Sequence, residues 1–103
     1  MTQEPYRLAD LVAYQEGSVV SRKVLGGRKG NVTLFAFAEG EGLTEHTSPY
    51  EALVVVLAGQ AVVSIGGEER TVREGEAVNL PASVPHALTA RRAFKMMLVM
   101  IRE

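Results

Sequence analysis

Between Gly17 and the C-terminus the chain breaks into short runs of β-branched, aliphatic and aromatic residues, and glycine or charged turns close almost every one. The runs read SVVSRKVL, VTLFAFA, ALVVVLAG, AVVSI, RTV, VNLPA, HALTA and FKMMLVMI, with GGRKGN, GEG, GGEE and EGEA among the turns between them. Branched and aromatic side chains suit a pleated, half-buried surface, and glycine supplies the backbone angles that tight reversals need. Runs this short, at this spacing, predict an antiparallel all-β sandwich or barrel of about eight to ten strands. Residues 7–14 depart from the pattern. Leu8, Leu11 and Val12 recur at helical spacing around Asp10, which predicts one or two helical turns. The expected organisation is an N-terminal helical extension over residues 1–16 and one barrel domain over residues 17–103. A chain of 103 residues has material for one core, since at this size folding removes about 60–68% of the unfolded surface from water.

Two of the runs do not alternate. Leu53 to Leu57 and Met96 to Ile101 are apolar at every position, so in an antiparallel sheet both of their faces must be covered. One face is the barrel interior. For the other, a partner subunit in a homodimer is the economical cover, and the alternative is that the N-terminal segment folds over it.

Composition removes several function classes. Eleven basic and twelve acidic residues give a net charge of −1, which offers no field to attract nucleic acid or an anionic membrane. Without cysteine there is no disulfide, zinc–thiolate cluster or thiol nucleophile, so any metal must use His, Asp, Glu or Met. The first 14 residues lack the basic start and apolar stretch of a signal peptide, and no apolar run reaches the ~18 residues of a membrane span. A cytoplasmic protein is the expectation. The GGRKGN turn lacks the order of a phosphate-binding loop and a helix after it, so no nucleotide cofactor is expected.

The chemistry concentrates around the two histidines. Gly40 opens, His46 falls within and Gly59 closes the run GEGLTEHTSPYEALVVVLAG, and Gly75 opens GEAVNLPASVPHALTA, which holds Pro81 and His86, with the 15 residues Gln60 to Glu74 between the two stretches. These two spacings resemble the two motifs of the cupin superfamily, and the resemblance spans residues 17–102. It implies a single antiparallel cupin jelly-roll barrel of the small bacterial or archaeal kind. It also implies a pocket inside that barrel, where metal-binding members converge three histidines and a glutamate on one ion.

This chain keeps only part of that set. Ser48 stands in the position of the second histidine, Ala52 in that of the glutamate, Ser83 in that of a glycine and Ala90 in that of an asparagine. In a regular strand Glu51 points away from the face of His46, but Pro49 can impose a bulge that turns it inward. The candidate metal ligands are therefore His46, His86 and Glu51, a two-histidine, one-carboxylate set suited to Zn, Mn, Fe or Ni with positions left open. Ser48 and Tyr50 are candidates for the ligand pocket, Tyr50 as a phenol donor or as a strand-edge aromatic. Met96, Met97 and Met100 are soft donors able to ligate Cu(I), and on a strand they also serve as flexible core filler. Three functions remain open. One is a metal-dependent enzyme of the dioxygenase, isomerase or decarboxylase kinds, another a metal-free module binding a small organic molecule, and the last an accessory homodimer with a vestigial site.

Overall fold

The computed structural model describes residues 3–102. After a short 3₁₀ turn at Leu8–Leu11 come nine strands: β1 (Val19–Gly27), β2 (Gly30–Phe37), β3 (Gly42–His46), β4 (Glu51–Ala58), β5 (Gln60–Ile65), β6 (Glu68–Arg73), β7 (Ala77–Leu80), β8 (His86–Thr89) and β9 (Phe94–Ile101). They form two antiparallel sheets that face each other, one in the order β1-β2-β9-β4-β7 and the other in the order β3-β8-β5-β6. The expected all-β jelly roll is what forms, and the hairpin read across GGRKGN is β1–β2.

Alternation along the strands fills the space between the sheets. Val54, Val56, Val63, Leu88 and Phe94 belong to one buried cluster there. Phe37 and Phe94, paired across β2 and β9, are fully buried and stack at 4.6 Å between ring centroids, 11° from parallel. Gly59 alone separates β4 in one sheet from β5 in the other. Its φ of +75° lies in the left-handed region, and a Cβ there would stand 2.6 Å from the Ala93 carbonyl oxygen. Only glycine lets the chain change sheets at that point without strain.

The outward face of the five-stranded sheet explains the two continuous apolar runs. The N-terminal segment lies across part of it, where Val12, Leu34 and Ala36 are buried and Leu8, Leu11, Leu57 and Met97 pack against them. Lys95 anchors this cover. Its Nζ donates to the Ala9 carbonyl at 2.6 Å and sits 5.1 Å from the centre of the Tyr14 ring. Desolvation, and secondarily the Glu74 carboxylate, push the Tyr14 phenol above its ordinary pKa. The one or two helical turns expected within residues 7–14 take the form of a single 3₁₀ turn at Leu8–Leu11. Arg7 at its start supplies no side-chain cap, and Val12 is already extended at its end, so the spacing of Leu8, Leu11 and Val12 reflects docking onto a sheet. The cover is incomplete, because Ile101 remains 56% exposed and Leu53, Val55 and Val99 stay only half-buried. Among the described residues no helix is long and apolar enough to cross a membrane.

Phe94→Ala should cost about 3–5 kcal/mol, the usual penalty for emptying a packed aromatic site. Urea unfolding of the variant beside the parent protein measures it, and a loss below about 1 kcal/mol would contradict the packing described.

Candidate functional site

The two histidines meet because of a one-residue irregularity. In the β3–β8 ladder Gly42 pairs with Thr89 and Leu43 with Leu88, yet His46, not Glu45, stands opposite His86. One extra residue of β3 is absorbed between Leu43 and His46. Such a bulge reverses the alternation of faces beyond it, so Leu43 and His46, three residues apart, both look into the barrel. Without it, Glu45 would oppose His86 and His46 would point outward.

Backbone carbonyls then orient both rings. His46 Nδ1 lies 2.8 Å from the Thr44 carbonyl oxygen, and His86 Nδ1 lies 3.2 Å from that of Val84. A carbonyl only accepts, so each Nδ1 carries the hydrogen and each neutral ring presents a lone pair at Nε2. The two Nε2 atoms face each other at 3.2 Å, with the rings edge to face at 71° and 4.4 Å between centroids. Two lone pairs at that distance repel unless a proton, a donor group of a ligand or a cation meets both. Two nitrogens bound to one zinc ion at tetrahedral angles lie about 3.3 Å apart, given metal–nitrogen bonds of about 2.0–2.1 Å. His86 is buried and His46 exposed, so the pair runs from the buried part of the cavity to its open rim.

The cavity beside the pair is small and largely apolar. It offers about 60 Å³ and opens partly to solvent, and His46, Ser48, Tyr50, Ala52, His86, Met96 and Met100 line it together with Leu43, Leu80, Leu88 and Leu98. That volume holds a few waters, or an ion with a compact ligand, and falls well short of the ~300–1,000 Å³ of clefts for drug-sized molecules. Ser48 and Tyr50, both expected in the pocket, do line it. The Ser48 hydroxyl accepts from the Tyr50 backbone N–H at 3.1 Å, and the Arg102 guanidinium lies 5.3 Å from the centre of the Tyr50 ring.

Glu51 is not part of the site, which corrects the expected ligand set. β4 runs in unbroken register with β9 from Glu51 to Val56, so Pro49 leaves the alternation intact and Ala52 takes the inward position. The Glu51 carboxylate faces outward and accepts the Ala82 backbone N–H at 2.8 Å. Among the described residues no three of His, Cys, Asp and Glu gather in one place. The donor set therefore does not fit the two-histidine, one-carboxylate site. It offers two imidazole nitrogens and, from the inward face of β9, the thioethers of Met96 and Met100. Even-numbered positions of the apolar run 96–101 were the signal for those methionines, readable only once the inward face of β9 is known.

Comparison with known proteins agrees with this architecture. Residues 33–102 match the family model described as a cupin domain. The chain is similar to a conserved protein from Streptococcus pyogenes, at 31% identity and a TM-score of 0.94, covering 100% of this chain and 90% of that one. It is likewise similar to a cupin superfamily protein from Desulfitobacterium hafniense, at 25% identity and a TM-score of 0.94 over 100% and 94% of the two chains. A cupin 2 conserved barrel domain protein from Leptotrichia buccalis shares 37% identity at a TM-score of 0.91, over 94% of this chain but only 47% of that one. No curated protein matches the sequence.

Ser83, which stands where the second motif has glycine, has a left-handed backbone. Its φ is +64°, and its N–H donates to the Ser48 carbonyl at 2.7 Å. With Glu51 and Ala82, this bond ties the loop before β4 to the loop before β8 and so braces the rim of the pocket. A side chain in that left-handed conformation is strained. Ser83→Gly should therefore stabilise the fold by roughly 0.5–1 kcal/mol, after allowing for the greater freedom of glycine in the unfolded chain. A rise in thermal midpoint with the histidine signals in NMR unmoved is the expected outcome, and a fall would show that the serine side chain is needed there.

Proposed function

This chain belongs to the cupin domain family, and from that premise we propose that it is a binding barrel in which His46 and His86 hold a late transition-metal cation at the wall of a small apolar pocket. One observation carries the reading: two Nε2 lone pairs converge at 3.2 Å while both Nδ1 atoms are committed to backbone carbonyls. Fixing the far nitrogen of each ring on a carbonyl is how metal-binding histidines are oriented and kept in the right tautomer. Two imidazoles without a carboxylate favour the later ions, Ni and Zn, over Mn and Fe. The remaining coordination positions face the cavity, whose size suits a small organic ligand of a few heavy atoms.

The bare part of the outward sheet face supports a second element of the proposal. Leu53, Val55, Val99 and Ile101 form an apolar stretch beside the docked N-terminal segment, with Glu51 across from Ile101 and Asn79 across from Leu53 at its border. A second copy of the chain, meeting it face to face about a two-fold axis, is the cover this reading assigns.

Protein prepared without a histidine tag should take up about one Zn²⁺ or Ni²⁺ per chain in a calorimetric titration, as a single two-imidazole site requires. His46→Ala and His86→Ala should each abolish that uptake, and Glu51→Gln should leave it unchanged. Absence of uptake by the parent protein would make the pair a plain wall of the pocket. For the interface, sedimentation should give twice the chain mass at micromolar concentration, and Val55→Lys should halve it. An unchanged mass in a folded variant would place the contact elsewhere.

A further inference from the structure

We infer that the site is soft, with Met100 joining His46 and His86 in a two-imidazole, one-thioether set that selects Cu(I) over divalent ions. The inference rests on the metal-binding reading above and specifies which cation that site is built for.

Placement comes first. The inward face of β9 presents Phe94, Met96, Leu98 and Met100, and Met100 stands directly across from Ala52 of β4. Both residues line the cavity that His46 and His86 line. Ala52 offers only a methyl group, which leaves the space beside it to the long, unbranched Met100 side chain. Met96 lies further along the same face and is almost wholly buried in the core, so Met100 is the thioether nearer the rim.

Donor chemistry comes second. A thioether is a weak ligand for Zn²⁺ or Mn²⁺ and a good one for Cu(I), whereas imidazole serves both. Of the oxygen donors in the wall, the Ser48 hydroxyl is already engaged with the Tyr50 backbone, and the other is the Tyr50 phenol. Among the described residues no carboxylate lines the cavity.

Charge leads to the same ion independently. Among the described residues no donor of this wall is an anion, and most of the wall is leucine, methionine and alanine. An ion entering such a wall keeps its charge uncompensated, and the cost of leaving water grows with the square of that charge. A monovalent ion therefore loses far less than a divalent one.

The test uses the full-length protein under anaerobic conditions. Cu(I) is titrated in competition with bicinchoninate and Zn²⁺ in competition with a chromophoric chelator, for the parent, Met100→Leu and Met97→Leu. Met97 lies on the outward face of the same strand, packed against the N-terminal segment, and controls for the substitution itself. The parent should bind one Cu(I) per chain more tightly than Zn²⁺, and Met100→Leu should weaken Cu(I) binding by about tenfold or more while Zn²⁺ affinity stays within about twofold. Copper K-edge absorption should contain a sulfur neighbour that Met100→Leu removes and Met97→Leu retains. Zn²⁺ binding without Cu(I) preference, a copper spectrum with only nitrogen and oxygen neighbours, or equal loss of both metals in Met100→Leu would each overturn the soft site and leave the metal-binding reading standing. Uptake of neither metal by the parent would overturn both.

Discussion

The candidate site depends on one register shift. Between Leu43 and His46 the β3 strand carries one residue more than its partner β8, and that residue decides which side chain faces His86. An imidazole opposite an imidazole gives two convergent nitrogen lone pairs, whereas a glutamate there would give an ion pair and no shared donor site. Bulges recur beside functional sites because one inserted residue re-aims a side chain without disturbing the rest of the ladder. Here β8, the neighbour of β3, keeps an unbroken register with β5, so the leucines beside the histidines still fill the wall.

Around that pair the barrel behaves as a rigid mount. The Nδ1 atoms bond to carbonyls of the residues two before each histidine, so each ring is fixed by its own strand end. The loops at the rim are tied to each other through Ser83 to Ser48 and Ala82 to Glu51. Glu51 thus has a structural task outside the cavity. A carboxylate that looked like a missing metal ligand instead braces the loop that leads into β8.

The outward face of the larger sheet follows a different logic. The apolar runs of β4 and β9 have both faces apolar because the inward side packs the core and part of the outward side receives the N-terminal segment. Lys95 interrupts the apolar character of β9 at the place where a charged group is useful, since its ammonium reaches the backbone of the segment and the face of Tyr14. Both covers considered for the runs are therefore relevant to one surface: the segment takes one part, and the remainder is apolar and open.

Much of this is legible in the sequence. Strand punctuation and glycine spacing define the antiparallel barrel, because side-chain branching and φ > 0 positions are local properties written residue by residue. The intervals from Gly40 to His46 and from Gly75 to His86 likewise located the two ring systems that meet. Local pattern was insufficient for Glu51, where the bulge that Pro49 could impose does not occur. Facing is a cumulative property, since one extra residue anywhere along a strand reverses every side chain beyond it, and hydrogen bonding to neighbouring strands sets where that residue is absorbed. So the sequence determined the barrel and its two histidines. Tertiary structure decided that His46 turns inward through the β3 bulge, that Glu51 turns outward, and that two methionines of β9 stand in the same cavity.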